Sequence, residues 1–326
     1  MTNVARRAAS LGERSMTTSV YHDGERAVQH SAGEVGIADR NGVVIADTIL
    51  GGARPFIGKQ SMVVLASVDA DGAPWSTVLF GQPGFAHADS AAQVTVDLPA
   101  ALRDPEEPFW RNVAANPAIG SLFIELGSRR RYRINGGLQR LDDTGFDLAV
   151  REAYPNCPKY IQRRQLRRID GEAAPALLGE GHALDAATRA IVRAADTIFV
   201  ASNHRERGAD ASHRGGSPGF VQVVSDILLR IPDYNGNSLF NTFGNLTVDP
   251  RVGLCIPDFD GQRLLQLSGR ARILHGQDDP DGLTGGTGRF WEIAIERWLL
   301  RRAPQRLDWE YLDASPFNPA VEVGHA

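Results

Sequence analysis

The pentapeptide GQPGF at Gly81–Phe85 returns 135 positions later as GSPGF at Gly216–Phe220, and this repetition decides how the chain is organised. Upstream, Ala66-Ser67 recurs at the same interval as Ala201-Ser202. Further residues repeat at an interval of 133: Asn112, Pro117, Gly120, Arg130, Gly136 and Leu141 recur as Asn245, Pro250, Gly253, Arg263, Gly269 and Leu274. Composition alone gives roughly one match in fifteen positions, so this density predicts an internal duplication.

Both copies are rich in short β-forming runs that Gly, Pro and Asp interrupt. The first copy contains MVVLASV, STVLF, QVTVDL, IGSLFIEL and RRYRING, and the second contains TIFVAS, FVQVVS, ILLRIP, RVGLCIPDF and RLLQLSGRARIL. Five or six strands per copy predict a small antiparallel barrel in each half. A short helix is predicted over residues 105–116, with a counterpart over residues 237–248.

The segment between the copies is predicted to be helical. It places Tyr160, Ile161, Leu166 and Ile169 among arginines, and Asp185 is a suitable cap for a following amphipathic run. The predicted organisation is therefore a lead over residues 1–50, a first barrel with C-terminal helices over 51–180, and a second barrel over 181–326. The first dozen residues are expected to be disordered, and Met16 is an alternative start to Met1.

The composition narrows the class of protein. The 326 residues include 42% hydrophobic and 23% charged residues and carry a net charge of −4, which excludes a disordered chain and disfavours a nucleic-acid partner. There is no apolar run long enough for a membrane span or a secretory signal, so a cytoplasmic protein is expected. Two cysteines, Cys157 and Cys255, cannot form a disulfide framework or a multi-cysteine zinc site.

Two polar clusters in the second copy are candidate binding segments. In residues 204–220, Ser212, His213, Arg214 and Gly215 combine small residues, a hydroxyl and a guanidinium, as an approach to a phosphate or planar ring requires. A glycine-rich hairpin with a solvated arginine is the alternative. In residues 231–246 a turn leads into a helix start, which favours anion binding, although capping by Asn237 or Ser238 is also open.

The arrangement SHRGG-PGF, IPDY-GN, NT-GNL-DPRVGL and LQLSGRARI resembles the FMN-binding split-barrel proteins related to pyridoxamine 5'-phosphate oxidase. The resemblance is close over residues 198–274 and looser in the first half. It implies a mainly β fold with short helices, in which two tandem split β-barrels form a pseudo-dimer within one chain. It also implies that flavin lies at the interface between the barrels, and whether one or two flavins bind per chain is left open.

Carried over by position, the resemblance implies roles for individual residues. His213 would supply a hydrogen bond near flavin N5 and Arg214 positive charge near N1–C2, as the catalytic pair. The residues implied to border the ring and ribityl chain are Ser212, His213, Arg214 and Gly215, and those implied at the phosphate end are Asp233, Gly236, Asn237, Ser238, Asn241 and Thr242.

The sequence departs from this pattern at several positions. Ser238 stands where many relatives place Arg or Lys, so the phosphate would depend on Arg214, on backbone amides, or on an arginine of the other barrel. The first copy has PWST at residues 74–77 in place of SHRGG, which predicts a degenerate first site. Trp75, Arg129 and Arg131 are candidates to reach across to the second barrel's flavin. Packing in the core or on a solvated face is the alternative.

Two further candidates concern the segment after the first barrel and a metal. Cys157 and Lys159 lie in the string YPNCPKY and are candidate substrate-binding residues, whereas an inert buried thiol is the favoured alternative for Cys157. His204, Asp210 and His213 fall within ten positions, but their spacing fits no metal motif, so no metal is predicted.

The function that best fits these features is an FMN-dependent oxidoreductase acting on an unidentified small molecule. A flavin-, deazaflavin- or haem-binding module without turnover is a second hypothesis, and a purely structural barrel is a third. The substrate, the electron donor or acceptor, and pairing of chains into a homodimer are not determined by the sequence.

Overall fold

Two antiparallel sheets with the same strand order form the framework of the fold. They are seen in a computed structural model of the protein, which describes residues 19–172, 176–303 and 305–319. The first sheet has the order β2-β1-β5-β6-β7-β4-β3 and the second has the order β11-β10-β14-β15-β16-β13-β12, with β9 paired to β16. The strands are β1 Met62–Val68, β2 Pro74–Phe80, β3 Ala86–His87, β4 Gln93–Asp97, β5 Ala118–Glu125, β6 Arg130–Asp142, β7 Gly145–Pro155, β8 Arg163–Glu172, β9 Ala176–Gly181, β10 Thr197–His204, β11 Gly208–Gly215, β12 Gln222–Ser225, β13 Leu228–Pro232, β14 Arg251–Asp258, β15 Arg263–Leu274, β16 Phe290–Arg302 and β17 Gln305–Asp313.

The two sheets also agree in register. Ala66 is paired with Gly120 in the first sheet, and the residues repeated from them, Ala201 and Gly253, are paired in the second. In both copies an asparagine of the short helix donates from Nδ2 to a strand serine, from Asn112 to Ser67 and from Asn245 to Ser202, each at 3.0 Å. The repeat seen in the sequence therefore corresponds to equivalent positions in two similar barrels.

The barrels pack face to face around a shared apolar core. Buried residues of both halves form one cluster there, including Val64 and Leu122 from the first barrel and Phe199 and Cys255 from the second. Apolar surface buried between the halves stabilises their association. The prediction of two tandem split barrels that form a pseudo-dimer within one chain is confirmed.

Within the described residues, six short α-helices accompany the sheets: α1 Asp23–Ser31, α2 Val35–Asn41, α3 Arg54–Gly58, α4 Pro108–Ala115, α5 Ala186–Ala194 and α6 Asn241–Val248. The helices predicted over residues 105–116 and 237–248 are present as α4 and α6. Asp185 caps α5 as predicted, accepting from the Thr188 N–H at 2.8 Å. In the parts of the chain that the structure describes, no helix is long and apolar enough to cross a membrane.

The helical prediction for the segment after the first barrel is wrong between residues 163 and 172. This segment is the strand β8, which pairs with β17 in a two-stranded ribbon that places Leu166 opposite Trp309 and Ile169 opposite Leu307. The apolar residues of β8 pack against the core between the barrels. A partner strand about 140 residues later overrides the local preference, because propensity is weak relative to tertiary pairing.

The N-terminal lead is part of the second barrel's surface. Residues 1–18, which include Met16 and the stretch predicted to be disordered, lie outside the described residues. From residue 19 onward the lead forms α1 and α2, and α1 crosses α6 closely: a Cβ on Gly244 would lie 2.7 Å from the Glu25 Cα. His22 Nε2 also lies 3.0 Å from Asn245 Oδ1. The sequence did not indicate this docking.

Candidate functional site

A cleft lies where β6 of the first barrel meets β11 and α6 of the second. Its lining comes from both halves of the chain. From the first half come Arg131, Arg133, Asn156, Cys157, Lys159 and Tyr160, and from the second come Ser212, His213, Arg214, Gly215, Asp233, Tyr234, Gly236, Asn237, Ser238, Phe240, Asn241 and Thr242. Every residue implied at the flavin of the second barrel therefore lines one cleft.

His213 lies on β11 and is held by an arginine of the opposite barrel. Arg131 Nη1 is 3.3 Å from His213 Nδ1. Burial and the nearby Arg131 and Arg214 charges hold the pKa of His213 well below its ordinary value, so the ring is neutral. A guanidinium can only donate, so Nδ1 accepts and the ring proton is on Nε2. His213 Nε2 is buried without a partner among the described residues, which leaves a donor for a ligand.

Arg131 brings a positive charge into the cleft. No carboxylate of the described residues forms an ion pair with it. Its Nε donates to the Cys157 carbonyl at 2.7 Å. Burial, followed by repulsion from Arg133 and Arg214, lowers the pKa of Arg131 to about 9. Arg133 is different, since its Nε lies 3.3 Å from Asp210 Oδ1, and this carboxylate raises the pKa of Arg133 against the opposing effect of burial.

Arg214 lies at the other side of the cleft. Its guanidinium is 3.9 Å from the Asp233 carboxylate and lies 5.5 Å from the Phe243 ring centroid. The Arg214 Nε is buried and has no partner among the described residues. Asp233 is also bound to Arg289, whose Nε donates to Oδ2 at 3.0 Å. Arg214 is therefore only partly neutralised.

The residues implied at a phosphate form a wall, and several of their side chains bond other protein groups. Ser238 Oγ donates to the Glu34 carboxylate at 2.6 Å, and Ser212 and Thr242 share a hydrogen bond of 2.9 Å. Asn241 donates to Glu25 and accepts from Arg133. The alternative that Asn237 or Ser238 caps α6 is wrong, because the N-cap position is Phe240 in a left-handed conformation.

Two of the candidates for a contact across the barrels lie elsewhere. Trp75 is buried at the barrel interface, where its Nε1 donates to Asp69 at 3.0 Å. Arg129 turns away in a left-handed conformation and bonds Asp313 and the Ile161 carbonyl. Of the three, only Arg131 lines the cleft.

Cys157 and Lys159 lie at the rim of the cleft. Cys157 is half-buried, so the fully buried thiol of the alternative interpretation is wrong. Lys159 Nζ lies 5.3 Å from the Phe317 ring centroid, and no described carboxylate pairs with it. Tyr160, also part of the YPNCPKY string, lines the cleft as well. Four further lining residues were not predicted from the sequence: Arg133, Asn156, Tyr234 and Phe240. A signal existed for Arg133, since residues two apart on a strand share a face.

The internal repeat defines a second position between the barrels that is equivalent to the cleft. Most of the polar residues of the cleft are replaced there. Val78 and Leu79 stand 135 residues before His213 and Arg214, and Leu264 and Gln266 stand 133 residues after Arg131 and Arg133. Val78, Leu79 and Leu264 line a smaller cavity, and Gln266 donates to Glu107, which also lines it.

A buried ion-pair group occupies this second position. Arg301 extends from β16 and pairs with Asp104 and Glu107, and its side chain is 2% exposed. Glu107 also accepts from Thr77 and Gln266. The second position is thus closed by the chain's own charges.

No group of three or more His, Cys, Asp or Glu side chains is placed to hold a metal ion within residues 19–172, 176–303 and 305–319. His204 is one of the three residues whose spacing was compared with metal-binding motifs. Its ring stacks on the His22 ring at a centroid distance of 4.1 Å. Asp210 pairs with Arg133.

Residues 51–172 match the family model of pyridoxamine 5'-phosphate oxidase. The resemblance to split-barrel proteins related to this enzyme is thereby confirmed. The match covers the first barrel and β8, whereas the motifs in the sequence placed the closer likeness in the second barrel. No curated protein matches the chain.

Solved structures show similarity to about a third of the chain, and three of them serve as examples. A pyridoxamine 5'-phosphate oxidase-related, FMN binding protein from Nostoc punctiforme is 11% identical, over 38% of this chain and 90% of its own, with a TM-score of 0.22. General Stress Protein 26 from Bacillus anthracis is 10% identical over 38% and 95%, with a TM-score of 0.26. An F420 reductase is 14% identical over 33% and 97%, with a TM-score of 0.23.

Proposed function

We propose that the protein binds FMN in the cleft between its barrels and acts as an FMN-dependent oxidoreductase, of the pyridoxamine 5'-phosphate oxidase-like type, on a small molecule. One observation carries this proposal. Among the described cleft residues, His213 Nε2, Arg214 Nε, Asn156 Oδ1 and Tyr234 OH are buried without hydrogen-bond partners. Buried polar atoms are rarely left unpaired in folded proteins, so several at one cleft indicate a ligand.

The donors and acceptors of the cleft fit a phosphorylated flavin. His213 Nε2–H is a donor for an acceptor atom on the ring edge, and Asn156 Oδ1 is an acceptor for a ring N–H. Arg214, Arg131 and Lys159 bring positive charge to the cleft, which suits a phosphate dianion, and Arg214 lies beside Asp233, at the end where the resemblance implies the phosphate. Ser238 and Asn241 contribute less than the resemblance implied, because other protein groups already use their polar atoms.

A bound flavin supplies hydride and electron transfer, and the chain supplies position and charge. Arg131 fixes the tautomer of His213, so that a neutral ring offers one N–H to the ligand. Arg214 places a partly neutralised charge beside Asp233, where it can hold an anionic group of the ligand. Because His213 is neutral and buried, we assign it hydrogen bonding rather than proton transfer.

The closed second position supports one cofactor per chain. Its lining has apolar residues where the cleft has His213 and Arg214, and Arg301 lies in it with two carboxylates. A flavin there would have to displace a buried, paired guanidinium.

The proposal is tested by the absorbance spectrum of the purified protein and by its response to NADH or NADPH. The oxidoreductase is supported by flavin absorbance bands at about 375 and 450 nm. The flavin should also be released as FMN on denaturation and be bleached anaerobically by a nicotinamide donor. Bound flavin that no donor bleaches supports the alternative of a non-catalytic flavin module. A released deazaflavin or haem in place of FMN supports the same alternative with that cofactor. A colourless protein that takes up no FMN contradicts both flavin proposals.

A further inference from the structure

The N-terminal segment Tyr21–Asn41 forms the outer support of the cleft wall. Gln29 Nε2 donates to the Leu239 carbonyl at 3.1 Å, and Asn41 Nδ2 donates to the Asn237 carbonyl at 2.8 Å. Ser238, between them, bonds Glu34. Both Ser238 and Phe240 have left-handed backbones, which such external contacts help to hold.

A row of alternating charges leads from this segment into the cleft. Glu34 Oε1 lies 3.2 Å from Arg289 Nη1, and Arg289 Nε lies 3.0 Å from Asp233 Oδ2. Asp233 Oδ1 then lies 3.9 Å from Arg214 Nη2, and Arg214 lines the cleft. The side chains of Glu34, Arg289 and Asp233 are 16%, 7% and 5% exposed. Charges this shielded from water act on their neighbours more strongly than surface charges do.

The balance of this row determines how much positive charge Arg214 presents. Asp233 is shared between Arg214 and Arg289, and Arg289 is shared between Asp233 and Glu34. With glutamine in place of Glu34, Arg289 is less compensated and adds to the positive potential at the cleft. With glutamine in place of Arg289, the Asp233 carboxylate is compensated by Arg214 alone, which reduces that potential.

We propose that Glu34 is a specificity-determining residue of the cleft: through Arg289 and Asp233 it sets the affinity of the Arg214 side for the phosphate of a phosphorylated ligand. This inference rests on the proposed function in taking FMN as that ligand. The quantity that reports it is the ratio of the riboflavin Kd to the FMN Kd, because the two flavins differ only in the phosphate.

The experiment titrates the apoprotein of wild type and four variants with FMN and with riboflavin, following flavin fluorescence. Glu34→Gln keeps an acceptor for Ser238 and is expected to raise the ratio by about three- to tenfold, and Arg289→Gln to lower it by a similar factor. Arg289→Lys keeps the charge and is expected to restore the wild-type ratio. Asp39→Asn removes the same charge as Glu34→Gln from an exposed site on the same segment, and is expected to leave the ratio unchanged.

Opposite shifts for Glu34→Gln and Arg289→Gln support the inference, because a purely structural role would weaken both flavins together. Equal ratios in all variants overturn it. Inorganic pyrophosphate, titrated calorimetrically, is the probe that does not depend on flavin. If wild type binds no flavin, the proposed function fails. The inference then requires that pyrophosphate binds most tightly to Glu34→Gln, less tightly to wild type and most weakly to Arg289→Gln. Any other order, including no binding to all three, overturns it.

Discussion

Arg131 of the first barrel and His213 of the second meet across the interface, with the arginine Nη1 3.3 Å from the histidine Nδ1. This contact joins the two halves at the cleft, and it depends on residues that the duplicated positions do not keep: Leu264 and Val78 stand at the equivalent places. A single chain with two similar barrels therefore has one polar cleft of this kind among the residues that the structure describes.

Removal of Arg131 should weaken FMN binding. We expect Arg131→Ala to raise the FMN Kd by about 10- to 100-fold, since a charge-assisted hydrogen bond and the fixed His213 tautomer are lost together. Arg130→Ala is the matched control, because Arg130 is exposed on the neighbouring position and does not line the cleft. Equal Kd values for the two variants in a fluorescence titration would show that Arg131 does not bind the ligand.

The neutral state of His213 should make the apoprotein less stable in acid. Its native pKa lies well below the ordinary value, so the unfolded chain takes up a proton near pH 6.5 that the native protein does not bind, and stability falls as the pH drops below that value. Between pH 7 and pH 5, wild type should lose about 1 to 2 kcal/mol more than His213→Gln. Urea unfolding at both pH values measures this difference, and identical losses would contradict the assignment.

The closed second position should contribute to stability and not to binding. We expect Arg301→Leu to lower the free energy of unfolding by about 3 kcal/mol, because Asp104 and Glu107 lose their buried counter-charge. The neighbouring Arg302→Leu, at an exposed position, should change it by under about 0.5 kcal/mol. The FMN content per chain should be the same in both variants. A second FMN bound by Arg301→Leu would instead show that the position retains a binding site.

Two equivalent glycines should be sensitive to a single added methyl group. A Cβ on Gly120 would lie 2.7 Å from the Asp210 Cα, and one on Gly253 would lie 2.5 Å from the Pro74 oxygen. Each would collide with backbone of the opposite barrel, so Gly120→Ala and Gly253→Ala should each cost about 1 to 3 kcal/mol. Gly137→Ala is the control, since its nearest neighbour would be 3.8 Å away. Denaturant midpoints give the comparison, and equal values for all three would refute close approach of the barrels there.

Much of the fold could be predicted from local sequence. The β-rich runs, the helices α4 and α6 and the repeated PGF turns identify strands and connections in each copy, since their period and turn residues are local signals. β8 could not be recognised, because its arginine-rich sequence becomes a strand only when β17 pairs with it. The docking of α1 and α2 rests on contacts such as Gln29 with Leu239, about 210 residues apart, which no local pattern encodes.

The candidate site was predictable where a motif marked it. Residues 212–215 and 233–242 follow recognisable strings, and the repeat suggested that an arginine crosses between the barrels. The hydrogen-bond partners of the residues implied at the phosphate end could not be predicted from such strings. Whether Ser238 faces a ligand or bonds Glu34 depends on a segment 204 residues away. The cytoplasmic location and the pairing of chains remain predictions.

The central claim, one FMN held between the two barrels, is tested most directly by titrating the apoprotein with FMN to saturation and counting sites. The structure predicts an end point of about one FMN per chain in wild type, and much weaker binding in Arg131→Ala. No saturable binding, or an end point of two per chain, would contradict the claim.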